Sequence, residues 1–201
     1  MSKKASLRFG TYNTMFELLE MGKTRILADC KSEKHSFVPI RTTDTECYAA
    51  EPDGVLIPQI EGQNKCDFLV YCKNSPQTCF FELKGANIST KTGYNPYDQI
   101  IGTINYLKRI ENLKEIVNPS TEKHAFIVSP GRQKIPSGVE TKERQLWQAL
   151  FHSSCLPKSI RPKISDLIHY VKVTSSERYS NKNGHIICSS KSPVELPFNP
   201  T

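Results

Sequence analysis

Between Cys66 and Gly85 the chain reads C-D-F-L-V-Y-C-K-N-S-P-Q-T-C-F-F-E-L-K-G, and no other stretch restricts the fold as strongly. Phe68 to Cys72 and Thr78 to Leu83 are aromatic and β-branched runs, and the turn-forming Lys73-Asn74-Ser75-Pro76 lies between them. The runs predict a hairpin of two strands set in the middle of a core. Asp67, Glu82 and Lys84 interrupt it. Alternate residues of a strand share a face, so Glu82 and Lys84 project together while Phe81 and Leu83 point the other way. Asp67, entering the neighbouring strand, brings a second carboxylate beside Glu82. Two carboxylates and an ammonium in a mostly buried sheet are costly unless a cation or a reaction uses them.

The residues beyond the hairpin extend the pattern. Asn95-Pro96 supplies a capping side chain and a proline for the first helical position. Tyr97, Ile100, Ile101, Ile104, Leu107 and Ile110 then recur at helical spacing, which predicts an amphipathic helix over Pro96 to Leu113. Gln99 lies at the edge of its buried stripe, within reach of the hairpin, with Tyr106 a further candidate near the same face. His124 to Ser129 reads as a strand and completes a strand–helix–strand unit. The fold class expected is α/β, a central mixed β-sheet flanked by helices.

Asp67 followed by Glu82-Leu83-Lys84, with a glycine after the lysine and then a helix carrying Gln99, resembles the PD-(D/E)xK nuclease superfamily, the restriction-endonuclease-like fold. The resemblance covers about Gln63 to Ile110, and departs from the pattern where Cys66 stands in place of proline before Asp67. It implies that Asp67 and Glu82 hold a divalent metal, Mg²⁺ or Mn²⁺, with the carbonyl of Leu83 as another ligand. It implies that Lys84 assists the attacking water, as base or as electrostatic partner, and that Gln99 is auxiliary. The family often adds a further acid, for which Glu17, Glu20, Glu46, Glu51 and Glu61 are the candidates. The activity implied is phosphodiester hydrolysis, with DNA favoured over RNA, in restriction, phage defence or repair. An inactive member of the same fold that binds nucleic acid or protein is the alternative. A third class is an interaction protein whose basic surface meets an acidic partner.

The 201 residues suit a single domain, its catalytic core about 63–130 and its C-terminal strands and tail 160–201. A formal charge of +7 favours a polyanionic partner. Lys91, after the hairpin, and Arg132 and Lys134, in a turn-rich loop, are candidate phosphate contacts. A homodimer or a partner subunit fits a chain with little room for a separate sequence-reading domain. No apolar run reaches the length of a membrane span, and the polar N-terminus lacks a secretory signal. Seven cysteines without a C-x-x-C pair predict reduced thiols and a cytoplasmic location. Cys30, His35 and Cys47 match no zinc spacing.

Other elements are read more coarsely. A helix capped by Asn13 or Thr14 carries Met15 to Met21, and Ser36 to Ile40 and Val55 to Ile57 are short strands. Another helix starts at Ser137 or Thr141. Ile164 to Thr174 and His185 to Cys188 are late strands paired as a hairpin, and Pro193 to Thr201 is a loosely held tail.

Overall fold

A computed structural model of the chain describes residues 9–28, 36–59, 63–84, 95–129, 145–146, 168–173 and 185–199. The strands are β1 (Glu17–Leu18), β2 (Thr24–Ala28), β3 (Phe37–Thr42), β4 (Cys47–Ala50), β5 (Phe68–Cys72), β6 (Gln77–Leu83), β7 (Glu122–Ser129), β8 (Ile168–Val173), β9 (His185–Cys188) and β10 (Val194–Leu196). The helices are α1 (Pro96–Leu107) and the short α2 (Lys114–Val117). Seven strands form one mixed sheet in the order β1-β4-β5-β6-β7-β8-β9, and β10-β3-β2 form a second, three-stranded sheet. Neighbours from β1 to β6 are antiparallel, and those from β6 to β9 are parallel.

The unbroken apolar runs of the hairpin have a plain cause. β5 and β6 are buried at every position because both faces of the sheet are covered. On one face Leu69, Tyr71, Phe80, Ala125 and Ile127 share a core with Tyr97, Ile100, Ile104 and Leu107 of α1. On the other, Val70, Cys79, Phe81, Phe126 and Val128 meet Leu27, Val38 and Ile40 of the second sheet, with Val194 and Leu196 from β10. The expected α/β class with a central mixed sheet is present. Among the described residues α1 covers one face and a sheet covers the other, because β3 and β10 turn Val38, Ile40, Val194 and Leu196 inward.

Several sequence expectations give way to tertiary packing. The helix expected up to Met21 is a 3₁₀ turn over Gly10–Met15 followed by β1. There Phe9 stacks on Phe16 with ring centroids 4.1 Å apart, Gly10 takes the left-handed φ of 57°, and Leu19 reaches the inter-sheet core. Val55 to Ile57 is a compact turn in which the amides of Leu56 and Ile57 return to the carbonyls of Glu51 and Pro52. The helix expected to Leu113 stops at Leu107. Tight bonds from Arg109 to Tyr106 and from Ile110 to Leu107 close it, and the extended Ile110 lets Leu113, Ile116 and Val117 join the core.

β8 and β9 pair in parallel rather than as a hairpin, which the roughly dozen intervening residues are long enough to permit. The tail is held: β10 runs beside β3, and the Gln77 amide donates to the Phe198 carbonyl at 2.8 Å. The helix expected after Ser137 or Thr141 lies outside the described residues apart from the helical Gln145 and Leu146.

Cys47 and Cys72, opposite one another on β4 and β5 with Cα atoms 4.2 Å apart, form a disulfide, which corrects the expectation of reduced thiols. Spacing along the chain could not show that the two strands align. Cys66, Cys79 and Cys188 are buried free thiols. No helix among the described residues is long and apolar enough to cross a membrane.

One buried lysine gives the stability a pH dependence. Lys123 on β7 is 3 % exposed, and its ammonium donates to the carbonyls of Asn118 at 2.6 Å and Thr121 at 2.5 Å. Burial, with Lys108 nearby, lowers its pKa to about 8 from an ordinary 10.5. Between those values the unfolded chain keeps a proton that the folded chain has lost, so stability from this group rises with pH. Compared with Lys123→Met in denaturant titrations, the wild type is expected to gain about 2 kcal/mol between roughly pH 7.5 and 9.5.

Candidate active site

The hairpin register brings the two acids together. Phe68 lies opposite Phe81, so one residue further on Asp67 faces Glu82 across the end of the ladder. Directly opposed residues of an antiparallel pair have Cβ atoms about 4.5–5.5 Å apart. Alternation sends both side chains to the α1 face, along with Leu69 and Phe80. Asp67 Oδ2 accepts the backbone N–H of Leu83 at 2.6 Å, so its carboxylate takes over the pairing where β5 has not yet begun.

Glu82 is 1 % exposed, and its Oε1 lies 2.5 Å from the ammonium of Lys84. The same ammonium donates to Gln99 Oε1 at 2.5 Å. Lys84 is thus fixed between a strand acid and a helix amide, and its own backbone N–H donates to the Val128 carbonyl at 2.9 Å. Asp67, Glu82, Lys84 and Gln99, grouped by the sequence pattern, form one connected group, and the Leu83 backbone lies beside Asp67.

Its electrostatics are unbalanced. Burial, reinforced by the Asp67 charge, pushes the Glu82 carboxyl well above its ordinary range. The Lys84 ammonium and the Asp67 amide act in the opposite direction without cancelling it. Glu82 Oε2 has no hydrogen-bond donor among the described residues, although it is buried. A buried carboxylate oxygen without a partner costs about 1–3 kcal/mol or more. A hard divalent cation, which prefers carboxylate and carbonyl oxygens, is the kind of group this oxygen lacks. Neighbouring Cys66 is no alternative nucleophile, since burial, with Glu82 and Asp67 adding to it, raises its thiol pKa.

α1 secures the group from outside the sheet. The Asn95 side chain caps its first turn, accepting the Tyr97 N–H at 2.9 Å, and this fixes where Gln99 falls. One turn beyond Gln99, the Thr103 hydroxyl accepts the Cys66 N–H at 2.8 Å and donates to the Gln99 carbonyl at 3.1 Å. A Cβ built on Gly102 would lie 2.2 Å from the Asn64 carbonyl oxygen, so this segment packs directly on the helix backbone. Thr103 and Gly102 were absent from the sequence expectations. The i, i+4 spacing from Gln99 to Thr103 was the available signal.

The described candidates for a further acid lie elsewhere or are engaged. Glu46 pairs with Lys73 at 2.8 Å beyond the Cys47–Cys72 end of the strands, about 20 Å from Asp67 by strand rise. Glu17 is held by Arg25 at 3.0 Å, and Glu20 pairs with Lys23, both at the surface. Exposed Glu51 follows β4 at the near end, on the alternation that faces the second sheet. It contributes, with Glu17, Arg25 and Phe68, to a hollow of about 310 Å³ there. Tyr106 is about 10 Å further along α1 than Gln99. Glu61, Lys91, Arg132 and Lys134 lie outside the described residues.

A second cluster, Asp44 with Cys47 and Cys72, has ligand atoms within 4.8 Å of one another, but the disulfide leaves it no thiolate. Asp44 instead receives the Glu46 amide at 2.9 Å and the Asn74 side chain at 2.6 Å.

Comparison with family models, with curated proteins and with solved structures returns no match for this chain.

Proposed function

We propose that this chain is a divalent-metal-dependent nuclease of the PD-(D/E)xK type that hydrolyses phosphodiester bonds, with DNA as its substrate. The observation that supports it is the unsatisfied, buried Glu82 Oε2 beside a second carboxylate, next to a lysine aimed by Gln99. Asp67 and Glu82 would hold Mg²⁺ or Mn²⁺. The Leu83 carbonyl would be a third ligand, since N–H and C=O of one extended residue project to the same side of the strand and the Leu83 N–H is on Asp67. The bound ion supplies positive charge to a phosphate oxygen and a water of lowered pKa.

The remaining work falls to the chain's own groups. Lys84, held between the Glu82 carboxylate and the Gln99 amide oxygen, would direct its positive charge at the negative charge that develops on the phosphoryl oxygens. Gln99 holds that ammonium where the strand face ends. In the reaction, water gives up a proton to solvent as it forms a new bond to phosphorus, and the bond to the leaving oxygen breaks as that oxygen takes up a proton from solvent. The basic balance of the chain, +7, suits a polyanionic substrate.

A competing reading has its own observation. The 2.5 Å Glu82–Lys84 pair is also what a structural ion pair requires, which favours a member of the same fold that binds without cutting. Incubation with circular, linear and single-stranded DNA and with RNA separates the two. The nuclease reading expects cleavage with Mg²⁺ or Mn²⁺ and none with chelator. Salt-dependent binding without metal-dependent cleavage of any substrate establishes the binder instead. Failure to bind any nucleic acid removes the nuclease and the nucleic-acid binder and leaves a protein-binding member of the fold.

A further inference from the structure

We infer that α1 sets the spacing of the two metal-holding carboxylates, with Thr103 and Gly102 as positioning residues that act on Asp67 through the segment before it. This rests on the proposed metal site and assigns a role to residues that touch neither substrate nor ion. Asp67 lies one residue before the β5–β6 ladder begins at Phe68, so contacts beyond the ladder add to what places it. Its carboxylate is tied to β6 by the Leu83 N–H at 2.6 Å. Its backbone is tied to α1, because the preceding residue, Cys66, donates its N–H to Thr103 Oγ1 at 2.8 Å.

Thr103 is fully buried, and its hydroxyl proton is committed to the Gln99 carbonyl at 3.1 Å, so the oxygen is oriented to accept from Cys66. Gly102 determines how closely the segment lies against the helix, since any side chain there would occupy the position of the Asn64 carbonyl. The turn Gln99–Thr103 therefore contacts the residues that flank the two strands of the hairpin at this end. Gln99 holds Lys84 at the end of β6, and Thr103 with Gly102 holds the approach to β5. Asp67 and Glu82 are referred to one rigid helical turn, and displacing either contact changes the gap between them.

The test is Mn²⁺ affinity, read by electron paramagnetic resonance without substrate, for the wild type, Thr103→Val, Thr103→Ser and Gly102→Ala, with circular dichroism to check folding. Thr103→Val keeps the shape and removes the acceptor, and Thr103→Ser restores it. Gly102→Ala improves helix propensity, so a loss of affinity there cannot come from a weaker helix. Thr103→Val and Gly102→Ala are each expected to weaken Mn²⁺ binding about 10–100-fold, the scale of groups that orient metal ligands, while Thr103→Ser stays at the wild-type value. Wild-type affinity in folded Thr103→Val and Gly102→Ala overturns the positioning role while leaving the metal site standing. If Thr103→Val fails to fold, Gly102→Ala decides alone. A wild type that binds no Mn²⁺ overturns both the metal site and this inference.

Discussion

Replacing Glu82 by Gln is expected to cut cleavage severely and, in the same protein, to raise the stability of the metal-free fold. The two effects have one cause. Burial holds the Glu82 carboxyl well above its ordinary pKa, so the folded chain retains a proton there that the unfolded chain has released. Stability from this group is therefore fully present at low pH and is lost as pH rises from the unfolded value of about 4.5 toward the raised folded value. The neutral amide removes that slope. In chelator, the advantage of Glu82→Gln over wild type should grow with pH, reaching on the order of 1–3 kcal/mol, the cost of an unsatisfied buried polar group. With metal, the order changes. Mn²⁺ should raise the wild-type melting temperature and leave Glu82→Gln unmoved, with cleavage down on the order of 10³-fold. Melting curves with chelator and with Mn²⁺ check both halves. A variant that is destabilised in chelator at every pH would show that Glu82 is structural.

Lys84→Met should separate holding the metal from using it. The methionine matches the length of the lysine stem and removes the ammonium that lies 2.5 Å from both Glu82 Oε1 and Gln99 Oε1. Two changes in metal affinity then oppose each other. A positive charge that repels the cation disappears, but the charge that partly offsets the raised Glu82 pKa, and so eases its ionisation, disappears with it. Mn²⁺ affinity is expected to stay within about tenfold of wild type at pH 8, whereas cleavage falls about 10²–10³-fold, the scale of removing one pre-aimed donor. Lys84→Arg should recover little, because a forked guanidinium does not fit a position held by two single oxygens. Single-turnover cleavage beside Mn²⁺ titration makes the comparison. Equal loss of binding and cleavage would place Lys84 among the groups that build the site rather than those that act in it.

The hairpin and its charges were legible in the sequence because they are local. Strand type, alternation and turn chemistry are set within Cys66 to Gly85, and these put Glu82 and Lys84 on one face opposite Asp67. The start of α1 was legible for the same reason, in Asn95-Pro96 and the spacing of Tyr97, Ile100 and Ile104. What escaped was decided by distant partners. β4 contains Tyr48 and two alanines with no periodic pattern, and it is a strand because β5 lies alongside it. The Cys47–Cys72 disulfide depends on that same alignment. β10 reads as proline-rich tail, yet Val194 and Leu196 fill the inter-sheet core once β3 is beside them. At the site, the roles of Thr103 and Gly102 depend on where the segment before Asp67 crosses α1, which no short-range pattern specifies.

The central claim is that Asp67 and Glu82 share a cation. Crystals grown with Mn²⁺ test it directly through an anomalous difference map. The account predicts one strong peak about 2.0–2.2 Å from a carboxylate oxygen of each residue, with Glu82 Oε2 among its ligands and Lys84 still bonded to Gln99. A map with no peak between Asp67 and Glu82 at saturating Mn²⁺, and Lys84 alone on Glu82, would contradict it.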